Sequence, residues 1–271
     1  MDYKKTKEGI LLFQQDFDLS ETLDCGQAFR WTENADGSFE GYFLNNFLKI
    51  SKTEEDCFLL HNVQEGEFLD IWKDYFDLDT DYSELKNRFS EDETLSAACR
   101  FAPGIRLLRQ DAWETLCSFI ISQNNNIPRI KGIISRLCEK YCGFPGCEDL
   151  ADETVESLSY LRSGFRAKYI VDAAQKASSG QADLDTIKKL PYEEAKKALM
   201  TIKGVGPKVA DCVLLFGMHR TEAYPVDVWI KRVMESFYPD GMPECTRGYE
   251  GIAQQYLFHY IRNNPELLDT E

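Results

Sequence analysis

The first hundred residues carry apolar and polar positions in short, strand-like runs. Residues 37–44 (GSFEGYFL) and 47–50 (FLKI) flank Asn45-Asn46. Two aromatic runs around an Asn pair predict a hairpin, because asparagine tolerates the left-handed backbone of a tight turn. Cys57-Phe58-Leu59-Leu60 predicts a further strand. From about Asp81 the period lengthens. Apolar residues recur at spacings of three and four over 105–121 and 130–141, then over 167–177, 192–199, 209–216, 228–237 and 251–262. That spacing places them on one face of a helix. The pattern predicts an α+β protein, with a β-rich domain over 1–100 and a helical domain over 101–271.

Composition narrows the class. With 43% apolar residues the 271-residue chain can bury a sizeable core. Nine scattered cysteines do not make a secreted disulfide framework. Neither a signal peptide nor an apolar run of membrane-spanning length is evident, so an intracellular protein, nucleoid-associated in a prokaryote, is expected. The net charge of −15 argues against nucleic acid until its distribution is read. Residues 1–100 hold 10 Lys/Arg against 23 Asp/Glu, whereas 101–271 hold 21 against 23. Within 196–232, seven basic residues face three acidic ones. A locally basic face is compatible with the whole.

The stretch Leu199-Met200-Thr201-Ile202-Lys203-Gly204-Val205-Gly206-Pro207-Lys208-Val209-Ala210-Asp211 is the most informative. A helix is expected to end near Ile202 and Pro207 to open the next. Between them Gly204, Val205 and Gly206 form a turn whose amides suit an anion such as a phosphate. An ordinary helix-turn-helix joint fits the same glycines. Lys208 falls in the first helical turn, where the positive end of the helix dipole disfavours an ammonium and favours the free amine of a Schiff-base nucleophile. A surface lysine on a phosphate is the alternative. Asp227, after Tyr224-Pro225-Val226, is placed as a helix N-cap; a carboxylate held so rigidly can also face positive charge developing on a sugar.

Taken in order, Cys25-Gly26-Gln27-Ala28-Phe29-Arg30-Trp31, Gly104-Ile105-Arg106-Leu107-Leu108-Arg109-Gln110-Asp111, Ser118-Phe119-Ile120-Ile121-Ser122-Gln123-Asn124-Asn125-Asn126-Ile127, Gly164-Phe165-Arg166-Ala167-Lys168-Tyr169, the Gly204 to Cys212 hairpin and Pro225-Val226-Asp227-Val228 span nearly the whole chain. This set resembles the helix-hairpin-helix glycosylase superfamily and, within it, the 8-oxoguanine DNA glycosylases. The resemblance implies an N-terminal antiparallel β domain of TATA-binding-protein type and a helical catalytic domain. It implies Lys208 as nucleophile at the sugar's anomeric carbon, Asp227 as its carboxylate partner, and base excision followed by β-elimination. Gly26 matches the residue whose carbonyl accepts the N7 hydrogen of the oxidised base. Gln254 matches the reader of the base edge, and Phe258 and Cys212 the two walls that sandwich the ring. Asn124, Arg129 and Arg166 match the readers of the orphaned cytosine, and Phe165 the wedge that fills the vacated stack.

The partner so implied is duplex DNA containing oxidised guanine, bound by a monomer, with no membrane and no cofactor. Only Cys245 follows Asp227, which excludes the four-cysteine iron–sulfur cluster of endonuclease III-like relatives. Cys138, Cys142 and Cys147 lack a nearby histidine, so no metal is expected there. Trp229 stands where relatives often have a phosphate-contacting histidine, and Lys203 where the hairpin often has proline. Two rivals stay open: a glycosylase for alkylated purines, which usually lacks the hairpin lysine, and a module that binds damaged DNA without cutting it.

Overall fold

The computed structural model describes residues 1–268. The chain forms two compact units. The first holds Met1–Tyr42, Phe47–Arg109 and the chain from Val226 onward; the second holds Gln110–Pro225 with Phe43–Asn46. A division at 100/101 follows chain order, whereas the contacts return the last segment to the first unit.

Apart from the Phe43–Asn46 tip, the first unit contains strands β1 (Asp2–Lys5), β2 (Gly9–Phe13), β3 (Trp31–Glu33), β4 (Phe39–Phe43), β5 (Asn46–Glu54) and β6 (Cys57–His61), with helix α1 (Leu19–Leu23) between β2 and β3. They form one sheet in the order β1-β2-β6-β5-β4-β3. The β1–β2, β2–β6, β5–β6 and β3–β4 ladders are antiparallel. Leu44 takes φ +53° and Asn46 already belongs to β5. The turn therefore lies one residue earlier than the Asn pair suggests, which keeps Leu48 and Ile50 buried on one face.

Helical turns begin before Asp81, at Glu65–Glu67, Phe68–Trp72 and Lys73–Tyr75. They carry Trp72, Tyr75 and Phe76 against Trp31, whose Nε1 donates to the Tyr75 hydroxyl at 2.7 Å. Helices α2 (Tyr82–Phe89) and α3 (Glu93–Phe101) follow. The helix expected from 105 starts only at Ala112, capped by Asp111. Residues 103–110 are irregular because their polar groups bond elsewhere. The buried Arg106 guanidinium donates to the carbonyls of Phe76 (3.1 Å), Asp16 (3.1 Å), Asp77 (2.6 Å) and Thr80 (3.0 Å). A buried cation must be saturated in this way, and the requirement outweighs helix propensity.

The second unit is helical: α4 (Ala112–Ser122), α5 (Ile127–Tyr141), α6 (Ala167–Ser178), α7 (Tyr192–Leu199) and α8 (Pro207–Cys212), which runs on as a π turn at Val213–Gly217. Two helices then complete the first unit, α9 (Val228–Phe237) and α10 (Glu250–Asn263). Among the described residues no helix is long and apolar enough to cross a membrane.

Candidate active site

The hairpin joins α7 to α8. Helix α7 stops at Leu199, and Val205 N donates to the Ile202 carbonyl at 3.1 Å to close the turn. Gly204 has φ +80°, whereas Gly206 has φ −96° and serves as N-cap with Pro207 at the first helical positions. Only one of the two glycines therefore uses the left-handed backbone. Asp172 of α6 anchors the turn by accepting from the Lys203 amide at 2.8 Å and pairing with Lys176 at 2.9 Å. Burial works against the Asp172 carboxylate, yet these partners outweigh it and hold its pKa below the ordinary value. Asp211 ties α8 to α7 through the Tyr192 hydroxyl (2.7 Å) and Lys196 (2.8 Å).

A Cβ on Gly204 would fall inside the van der Waals shell of the Tyr169 ring. Gly204→Ala should therefore combine backbone strain with overpacking and destabilise the unit by roughly 2–5 kcal/mol. Urea unfolding checks this; an unchanged midpoint would mean the turn can relax away from Tyr169.

Lys208 lies in the first turn of α8, half-buried. Its Nζ stands 5.1 Å from the centroid of the Phe119 ring, which stacks on Phe216 at 5.2 Å and 11°. No ion pair joins Lys208 to another described residue. An aromatic face steers an amine without neutralising it by a carboxylate. Cys212, one helical turn on, is buried. Nothing in the local pattern singles out Phe119; an apolar helix position looks like core whether or not an amine sits above it.

Asp227 is the N-cap of α9. Its Oδ1 accepts from the amides of Trp229 (3.0 Å) and Ile230 (2.9 Å), and Oδ2 has no hydrogen-bond partner among the described residues. One oxygen fixes the carboxylate while the other keeps its lone pairs. The Trp229 ring lies under the Arg232 guanidinium at 5.7 Å.

Gly26, Gln254 and Phe258 belong to the first unit. Gly26 has φ +93°. Its neighbours fix the loop: Gln27 Nε2 donates to the carbonyls of Thr22 (2.9 Å) and Arg106 (2.8 Å), and its Oε1 accepts from the Leu108 amide at 2.9 Å. Gln254 is buried on α10, and Phe258, one turn later, is half-buried with Arg262 over its ring at 5.9 Å.

Asn124, Arg129, Phe165 and Arg166 come together in the second unit. Asn124 is exposed at φ +46°. Arg166 is buried, and its guanidinium donates to the carbonyls of Gln123, Asn124 (2.9 Å) and Ser163 (3.1 Å). Burial, then the like charge of Arg129, lowers its pKa. Its donors hold the 123–124 backbone, where the resemblance implied a direct reader. Arg129 is exposed, with a long contact to the Arg162 carbonyl at 3.4 Å. Phe165 is 47% exposed, which an intruding ring requires and a core phenylalanine would not show.

Two family models cover the chain in succession. Residues 10–116 match the 8-oxoguanine DNA glycosylase N-terminal domain, and 117–243 match the HhH-GPD superfamily base excision DNA repair protein. The N-glycosylase/DNA lyase of Saccharomyces cerevisiae is 32% identical over 88% of this chain and 72% of its own length. MBOgg1, solved with a low-affinity DNA ligand, superposes with a TM-score of 0.90 at 41% identity, covering 98% of this chain and 100% of that one. The 8-oxoguanine glycosylase/lyase of Clostridium acetobutylicum, solved with double-stranded DNA carrying cytosine opposite 8-oxoG, gives 0.90 at 37% over 98% and 99%. With a six-stranded sheet ahead of a helix-hairpin-helix whose lysine opens the second helix, the chain belongs to the 8-oxoguanine DNA glycosylase family of the HhH-GPD superfamily.

Proposed function

We infer that the chain is a bifunctional DNA glycosylase and abasic-site lyase that removes 8-oxoguanine from duplex DNA, acting as a monomer and preferring cytosine opposite the lesion. The observation that carries this is Lys208: a half-buried amine in the first turn after a Gly-Val-Gly hairpin, joined in no ion pair to another described residue. A water-activating glycosylase has no use for such a group. The amine attacks C1′, forming a C–N bond as the bond to the base breaks and the base departs with that electron pair and a proton. Opening of the sugar ring gives the iminium; loss of a C2′ proton then expels the 3′ phosphate. The unengaged oxygen of Asp227 meets the positive charge on the sugar.

Extruding the base costs roughly a few kcal/mol, and Phe165 fills the space it leaves. Asn124 and Arg129 read the orphaned base, with Arg166 acting through the backbone it holds. Gly26, Gln254 and Phe258 hold the lesion base, and the amides of Gly204, Val205 and Gly206 lie against a phosphate. Oxidised guanine differs from guanine by a hydrogen on N7, so one backbone acceptor at Gly26 separates the two.

Duplexes with one 8-oxoguanine opposite each of the four bases test the reading. The strand should be cut without alkali, fastest opposite cytosine. An intact strand under both conditions would mean a binding module. Cutting only after alkali would remove the lyase activity.

A further inference from the structure

A second glutamine adjoins the base-edge reader. Gln254 and Gln255 are 4% and 5% exposed, both on α10. Gln255 Nε2 donates to Gln254 Oε1 at 2.8 Å. Gln255 Oε1 lies 3.9 Å from the Sγ of Cys25, the residue directly before Gly26. Burial pushes the Cys25 thiol up to about 11, so it stays an S–H donor, shared between Gln255 and the Thr22 carbonyl at 3.5 Å. Successive residues on a helix do not face each other, so this amide pair is not a by-product of helix geometry. It needs both side chains turned toward one another, with the Gln255 Oε1 facing the Cys25 thiol.

An amide side chain is nearly symmetric in shape and opposite in polarity at its two ends. A free Gln254 would present its oxygen or its NH2 to a base by a half-turn. Here Oε1 is engaged by Gln255, and Nε2 has no partner among the described residues. The donor end is therefore the open end, with one lone pair of Oε1 still available beside it. A 6-oxopurine offers an O6 acceptor next to an N1–H donor, the complement of that arrangement. A 6-aminopurine offers an amino donor next to a bare N1, the reverse. We propose that Gln255 is a positioning residue that locks the polarity of Gln254 and so favours excision of 6-oxo over 6-amino purines. This rests on Gln254 being the edge reader, as in the functional reading above.

The test compares single-turnover excision of 8-oxoguanine and of 8-oxoadenine, each opposite cytosine, by the wild type, Gln255→Leu, Gln255→Ala and Gln254→Leu. Freeing the amide in either Gln255 variant should lower the ratio of 8-oxoguanine to 8-oxoadenine rates about tenfold, the scale set by one mispaired polar group. A packing defect alone slows both substrates equally and leaves the ratio untouched. The two substitutions differ in volume, so whichever folds, verified by its thermal unfolding, gives the ratio. Should Gln254→Leu excise 8-oxoguanine like the wild type, the edge-reading assignment falls and this inference with it. Should Gln254→Leu fail while both Gln255 variants keep the wild-type ratio, only the locking role of Gln255 is overturned.

Discussion

Lys208→Gln is expected to abolish excision of 8-oxoguanine and the borohydride-trapped adduct while leaving lesion-DNA affinity within about threefold of wild type. Glutamine leaves a polar side chain one atom shorter near the Phe119 ring, but its carboxamide nitrogen has no free electron pair to offer C1′. The loss should be on the order of 10^4-fold or more, the scale seen when an enzyme's nucleophile is removed, which is about 5.4 kcal/mol of barrier. Binding should be spared because the groups proposed to meet the duplex are others. Lys203 is largely exposed, and the hairpin amides are untouched. Single-turnover kinetics and cross-linking by borohydride check both halves. A variant that still traps covalently would show that another amine forms the bond; one that no longer binds would show a structural lysine.

Much of this site is visible in the sequence because its parts are local. Pro207 after glycine fixes where α8 begins, and Pro225-Val226-Asp227 fixes the cap of α9. The apolar spacing delimits α7 and α9 for the same reason: their buried faces are contiguous along the chain. What the spacing misses depends on partners far away in sequence. The 103–110 segment is apolar at helical intervals yet irregular, because Arg106 must reach the carbonyls of residues 16, 76, 77 and 80. Arg166 matches a reader of the orphaned base, and its burial against the 123–124 backbone does not show in the local pattern. The Gln254–Gln255 pair is equally silent, since adjacent glutamines on a helix normally diverge.

Gly26→Ala should separate the two activities that Lys208 joins. At φ +93° an alanine costs about 1–3 kcal/mol, and the loop has little freedom to relieve it. Cys25 is tied to Thr22 and Gln255, and Gln27 to Thr22, Arg106 and Leu108, so strain concentrates on the one peptide that presents the carbonyl. Rotating that peptide relieves the strain and withdraws the acceptor proposed for N7–H. Losing one such hydrogen bond is worth about 1–3 kcal/mol, so excision of 8-oxoguanine should fall by roughly 5- to 150-fold. An abasic site carries no base for Gly26 to read. Strand cleavage and borohydride trapping on abasic DNA should therefore proceed at the wild-type rate, because Lys208, Asp227 and the hairpin are unaltered. Equal losses on both substrates would reduce Gly26 to a structural turn, and unchanged excision would place the recognition of N7 on some other group.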